Sequence, residues 1–208
     1  MIMKRLAILG AGGHGKVVGD IALSAGWRVV DFYDDAFPDK KLMDDLSIQG
    51  SFDSLLEMAD MYDGFHVAIG DNRVRLKILN QLLNLNLPCP KIIAPSAVIS
   101  PTVKIGTGVS VMPNVVVNSK TIVGNGAILN TSCSVDHHCE VAAGVHIGPG
   151  AHLAGDVSIG VCSLVGISST IIQGKVIGDN TIIGAGSVVI SDIPNNVTAV
   201  GVPSKIIK

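Results

Sequence analysis

The chain has 208 residues, of which 48% are hydrophobic and 3% aromatic, and a formal charge of −2. That balance argues against a nucleic-acid or anionic-membrane surface as the partner. No apolar run is long enough to span a bilayer, and after Lys4 and Arg5 the stretch Leu6–Leu9 passes straight into glycines without a secretory leader, so a cytoplasmic protein is expected.

Lys4–Leu9 reads as a short buried strand. The cluster Gly10-Ala11-Gly12-Gly13-His14-Gly15 follows it. Lys16–Ala25 has helical spacing, with Val17, Val18, Ile21 and Leu23 apolar, and Gly26 can close it. Trp27–Phe32 is a second strand whose end carries Asp31, Asp34 and Asp35, completing a βαβ opening. Ser51–Ala59 reads as a short helix capped by Ser51. His66–Ile69 reads as a third strand. A helix runs from about Asn72 to Leu87, capped by Asp71 or Asn72. Pro88 and Pro90 stop it and mark a linker, which divides the chain into a Rossmann-like domain at 1–90 and a second domain at 91–208.

Gly10-x-Gly12-x-x-Gly15 matches a dinucleotide fingerprint, with Asp31 at about the expected distance. Glycines let backbone approach phosphates, and a helix N-terminus favours their charge. The same turn can hold any diphosphate or serve as a tight turn alone. Residues 1–90 are short for a doubly wound dinucleotide fold, so a nucleotide or nucleotide-sugar is the favoured ligand and an NAD-dependent oxidoreductase the lesser one. His14 lies inside the turn, at a ligand surface or as an exposed loop residue. Asp34 and Asp35 can hydrogen-bond a ribose or a base, or be ordinary strand-end acids.

From Ile93 to Val189, seventeen aliphatic residues stand six apart without a miss, among them Ile105, Val111, Val117, Val123, Leu129, Val135, Val141 and Ile147. Four positions after each, the residue is small or β-branched nearly throughout, with Lys175 the clear departure. Neither a helix (period 3.6) nor an ordinary strand (period 2) repeats in sixes. A chain that turns a corner every six residues does, and three sides make a triangular coil that buries its apolar edge by stacking on the next. The scarcity of aromatics fits so narrow an interior. The expected fold is therefore α/β at the N-terminus followed by a parallel β-helix of hexapeptide repeats. Cys89, Cys133, Cys139 and Cys162 contain no CxxC pair and read as reduced thiols.

Two histidine-bearing stretches interrupt the repeat: Val135-Asp136-His137-His138-Cys139 and Val145-His146-Ile147-Gly148. At least one of His137 and His138 must face out, and an exposed histidine beside an acid is a general-base candidate. Asp136 is the nearest carboxylate in sequence. His146 and His152 are six apart and so belong to different faces, which argues against metal; no metal is expected.

These stretches resemble the sialic acid O-acetyltransferase-like group of hexapeptide-repeat acyltransferases, and within it the bacterial N-acetyltransferases of UDP-4-amino-4,6-dideoxy sugars. The likeness spans Gly10–Val18, Asp34-Asp35, Ala68-Ile69-Gly70-Asp71-Asn72, Asn130-Thr131-Ser132, Asp136–Cys139 and Val200–Lys205. It implies a left-handed parallel β-helix and an acetyl-CoA-dependent N-acetyltransferase with His137 as base, Asp136 or His138 tuning it, and Asn130 nearby. It implies that His146, Gly155, Ile167 and Ala185 meet acetyl-CoA, Gly155 through its N–H to the acetyl oxygen. Gly12, Gly13, His14, Asp34 and Asp35 would hold the nucleotide-sugar. It also implies a homotrimer with acetyl-CoA between neighbouring β-helices. O-acetylation of sialic acid or a related sugar, and a non-catalytic nucleotide-sugar scaffold, are the alternatives.

Overall fold

The computed structural model describes residues 4–39, 42–43 and 46–208. β1 (Arg5–Leu9), α1 (Gly13–Ser24) and β2 (Val29–Tyr33) form the expected opening, and β5 (Gly64–Val67) lies parallel on the other side of β1. β4 (Leu46–Gly50) extends the sheet beyond β2, and β3 (Leu42–Met43) pairs antiparallel with it, giving the order β3-β4-β2-β1-β5. Leu6 and Ile8 pack with Val18, Ile21 and Phe32, whereas Ala7 and Leu9 pack with Leu55, Leu79 and Leu82. Burial on both faces is why β1 reads as an unbroken apolar run.

The helix limits follow from their caps. The Ser51 hydroxyl accepts from the Ser54 N–H at 3.4 Å and opens α2 (Phe52–Glu57). One Asp71 oxygen accepts from the N–H groups of Arg73 and Val74, both at 2.9 Å, and opens α3 (Asn72–Asn84). α3 stops short of Leu87 because Asn86 takes φ +57°. The Leu87 N–H then reaches back to the Leu82 carbonyl and that of Asn86 to Leu83, a Schellman closure without glycine.

From β6 (Ile92–Ile93) to β22 (Val188–Val189) the chain forms two-residue strands that repeat every six residues. Each pairs in parallel with the strand eighteen residues on, as Val117 does with Val135 and Leu129 with Ile147. Three sheets result, and the chain is a left-handed parallel β-helix. The first face carries Ile93, Val111, Leu129, Ile147, Val165 and Ile183; the second carries Ile99, Val117, Val135, Leu153, Ile171 and Val189; the third carries Ile105, Val123, Val141, Ile159 and Ile177. From Val111 onward these inward residues are at most 2% exposed, and each contributes roughly 1.5–3 kcal/mol of burial.

The small residue lies inside the corner, but a different residue makes the bend. From Gly108 to Gly186, every sixth residue has φ between +52° and +67°. Glycine takes six of these places at little cost, and Asn114, Lys120, Ser132, His138, Asp156, Cys162, Ser168 and Asn180 hold the others against their intrinsic preference. Buried hydroxyls at the corners are satisfied by the next coil: Thr121 donates to the Asp136 carbonyl at 2.6 Å and Ser163 to Gly178 at 2.6 Å. The tail adds β23 (Thr198–Val200) in parallel to the first face, and β24 (Lys205–Ile206) closes it antiparallel, covering an otherwise open edge. No helix among the described residues is long and apolar enough to cross a membrane.

Candidate active site

The corner between the second and third faces carries the double histidine. His137 and His138 are both exposed. His138 is the left-handed corner residue, φ +59°, and that conformation turns its ring against its neighbour: Nδ1 of His137 and Nδ1 of His138 are 3.0 Å apart, rings nearly perpendicular at 85°. One of the two nitrogens donates and the other accepts. With His137 as donor, its Nε2 carries a free lone pair. Asp136 does different work. One of its oxygens accepts from the His137 backbone N–H at 2.8 Å and from the Asn118 amide at 3.0 Å, and these bonds hold its carboxyl below the usual range. Of the two neighbours expected to tune His137, Asp136 bonds to backbone and Asn118 and fixes the turn, and His138 meets the ring.

Gly155 lies one coil further, beneath His137. A Cβ there would collide with Cε1 of the His137 ring and sit 2.7 Å from Nε2. Gly155 is buried, and its N–H makes no hydrogen bond among the described residues. Cys139 and Cys133 point inward and are buried. Burial pushes the Cys133 thiol up to about 12 and raises that of Cys139, so neither is poised as a nucleophile.

The first face carries a second group. His146 Nε2 lies 3.0 Å from the Asn130 amide nitrogen. Within one chain Asn130 is therefore beside His146 and not beside His137: the two occupy successive corners, and the Asn130 side chain meets the first face. His14 is half-buried, not on an open loop. Its Nε2 is buried with no hydrogen-bond partner among the described residues. Burial, aided by the Arg75 cation, pushes His14 down to about 4; burial, Arg75 and His14 together do the same to His146. His66 is wholly buried, with Nε2 2.7 Å from the Ser110 hydroxyl and Nδ1 3.1 Å from the Pro90 carbonyl, and burial lowers it to about 4. Beside this group a cleft of about 350 Å³ opens between Gly70–Arg73 and the first face, lined by His146, Cys162, Leu164, Asn180 and Ile182.

At the carboxyl ends of β1 and β2 lies another cleft of about 270 Å³, lined by Gly10, Tyr33, Asp34, Asp35, Phe52 and Ile69 among others. Here β1 sends its connections to opposite sides of the sheet, the place where open α/β sheets bind ligands. Gly15 is obligatory, since a Cβ would strike the Gly10 carbonyl. Around Gly12 and Gly13 a Cβ would meet nothing within 4 Å, so the open space there faces outward. Asp34 accepts from the Ala11 N–H at 2.8 Å and from the Ala36 N–H at 3.0 Å, and Asp35 from the Phe52 N–H at 2.9 Å, so both shape the turns that wall the cleft. Asp31 is not at the strand end. It sits within β2 and pairs with Arg5 at 2.6 Å, which removes the acid that the dinucleotide reading requires.

Ile167 and Ala185 stack on successive coils at the corner between the first and second faces, both exposed. A single chain therefore does not assemble all of the expected residues. His137, His138, Asp136 and Gly155 share one corner. His146, with Asn130 against it, belongs to the opposite, first face, and His14 to α1 of the N-terminal domain. Ile167 and Ala185 mark a third position. His146 and His152 lie on different faces, and no group of three or more metal-ligating side chains is present among the described residues.

The sequence reading overlooked Asn72, Arg75 and His66. Arg75 carried a signal: it stands in register with Leu79 and Leu82 on the buried stripe of α3, where a charge is out of place.

Residues 5–82 match the family model described as the PglD N-terminal domain. The whole chain is similar to perosamine N-acetyltransferase from Caulobacter crescentus, solved in a variant form with CoA and GDP-perosamine: 37% identity, TM-score 0.94, covering 100% of this chain and 98% of that one. It is likewise similar to the acetyltransferase domain of PglB from Neisseria gonorrhoeae, solved with acetyl coenzyme A: 36% identity, TM-score 0.93, covering 98% and 99%. A 38-residue stretch is 58% identical to galactoside O-acetyltransferase of Escherichia coli, spanning 18% of this chain and 19% of that enzyme.

Proposed function

The chain belongs to the sugar N-acetyltransferases of the hexapeptide acetyltransferase family, and we propose that it moves the acetyl group of acetyl-CoA onto the amine of a UDP-linked 4-amino-4,6-dideoxy sugar, with His137 as general base. The coarser statement stands on whole-length likeness: an acyltransferase that takes acetyl-CoA and N-acetylates a nucleotide sugar. The observation that carries the finer reading is the His137 ring lying on Gly155, its Nδ1 engaged by His138 and its Nε2 left available.

In this reading residues 1–90 hold the nucleotide-sugar and residues 91–208 carry out transfer. The neutral amine attacks the thioester carbonyl, a C–N bond forms and the nitrogen becomes cationic. His137 Nε2 removes its proton, and His138 accepts from Nδ1 of the resulting imidazolium. The Gly155 N–H donates to the developing oxyanion. The C–S bond then breaks, and the proton passes from His137 to the sulfur of CoA. Gly12 and Gly13 leave room for phosphates, His14 approaches the sugar, and Asp34 and Asp35 border the base. His146, Ile167 and Ala185 line the path of acetyl-CoA.

Because His137 and His146 lie on opposite sides of one coil, the reaction needs a second chain. We assign a homotrimer in which the His137 corner of one protomer meets the first face of the next. The exposed aliphatics Val98, Ile122 and Val176 support contact surfaces on the other faces. Four free cysteines support a reducing, cytoplasmic setting.

The test is a panel of UDP- and GDP-linked amino sugars and their hydroxyl counterparts, with acetyl-CoA and free-thiol release as readout. Turnover of UDP-4-amino-4,6-dideoxy sugars alone is expected. Turnover confined to GDP sugars would reject the nucleotide, and turnover confined to hydroxyl acceptors would favour O-acetylation, to which the short likeness to galactoside O-acetyltransferase points.

A further inference from the structure

Arg75 is 1% exposed, yet no carboxylate among the described residues is hydrogen-bonded to it. All five of its N–H donors are used. Nε donates to the Gly126 carbonyl at 2.7 Å. One terminal nitrogen donates to Ile69 at 2.8 Å and Gly70 at 3.2 Å. The other donates to the Asn72 side-chain oxygen at 2.7 Å and the Gly144 carbonyl at 2.8 Å. Gly126 and Gly144 are left-handed corner residues of successive coils. Ile69 and Gly70 form the turn from β5 to α3, and that turn walls both clefts. The amide of Asn72 reinforces the joint, donating to the carbonyls of Cys162 and Ser163 at 3.1 Å each. A buried cation with no carboxylate hydrogen-bonded to it is costly, and hydrophobic packing would serve stability as well. The place of the fork, at the turn that walls both clefts, points to a role beyond holding the fold.

We propose that Arg75 is a positioning residue for the transfer reaction: its guanidinium fork fixes the β5–α3 turn to two coils of the β-helix, so that the nucleotide-sugar side and the acetyl-CoA side share one rigid wall. Burial first, and the Arg75 cation second, push His14 and His146 down to about 4, so the rings beside that wall are neutral. Neutral imidazoles can accept as well as donate hydrogen bonds, which imidazolium cannot. Lysine would keep the charge but not the fork, and methionine would keep neither.

The inference rests on the proposed assignment of His14 to the sugar and His146 to acetyl-CoA. Arg75→Lys should raise the KM values for both substrates together, by about fivefold or more, and lower kcat. A folded Arg75→Lys protein with a lowered melting temperature but both KM values and kcat within about twofold of wild type would make the residue merely structural and overturn the proposal. Should Arg75→Lys not fold, Asn72→Ala, which removes one acceptor of the same fork, should raise both KM values in the same way, and unchanged KM values in that folded protein would overturn the proposal. If both KM values respond with a hydroxyl acceptor while no amino sugar of the panel is turned over, it is the substrate reading that fails and not the role of Arg75.

Discussion

Two groups of histidines lie in opposite surroundings. At the corner between the second and third faces, His137 and His138 stand in solvent, set against each other by a left-handed bend. Where the N-terminal domain meets the first face, His14 of α1, His66 of β5 and His146 of the β-helix are lowered to about 4, chiefly by burial. The difference teaches that residue type does not assign the role. An exposed imidazole with one nitrogen engaged can take a proton and return it, whereas a buried one beside a cation serves as a fixed polar surface.

The largest expected effect sharpens that contrast. His137→Ala should lower kcat by about two to four powers of ten while the melting temperature stays within a degree or so of wild type. A steady-state assay paired with a thermal melt checks it, and near-wild-type turnover would remove His137 as the base. Gly155→Ala should come next. The new Cβ displaces the His137 ring, and kcat should fall by about tenfold or more with KM for the sugar little changed. An unaffected kcat would mean that the ring does not need its seat.

The buried group should answer in stability instead. His66 has an ordinary pKa of 6.5 and a folded one near 4, so the unfolded chain binds the extra proton between these values. Its contribution is therefore complete above about pH 6.5 and is lost as pH falls toward 4, amounting to roughly 2 kcal/mol at pH 5. Urea unfolding at pH 7.5 and pH 5 should reveal the loss, and His66→Gln should shrink it; equal stability at the two pH values would break the comparison. The smallest effect concerns Asp136. Asp136→Asn keeps an acceptor for the His137 N–H, so kcat should change less than about fivefold. A collapse as deep as that of His137→Ala would restore the carboxylate as a direct partner of the base.

Much of this was legible in the sequence because the hexapeptide period has one physical solution. The aliphatic positions from Val111 to Val189 are inward and buried, and the Asp71 and Ser51 caps and the glycine turn of α1 are where their residues predict. What was not legible needs a third dimension. That Asp136 turns to backbone and His138 to the ring depends on a positive φ that histidine does not advertise. That Asp31 belongs to Arg5 depends on how β2, which ends at Tyr33, one residue beyond the expected Phe32, lies against β1. Asn130 and His137 are seven apart in sequence, yet the corner between them separates their side chains. Strands β3 and β4 escaped because β3 is only two residues long and the alternating run Leu46–Gln49 of β4 is only four.

The separation of the two histidine groups leads to the most direct test of the account. His137→Ala and His14→Ala chains, each poorly active alone, can be co-expressed in equal amounts so that mixed assemblies form. A site shared between neighbouring chains predicts recovery of about a quarter of wild-type turnover, the share of interfaces that draw both intact residues from different protomers. Activity that stays at the level of the two parents would mean that His137 and His14 must come from one chain, and the shared site would be contradicted.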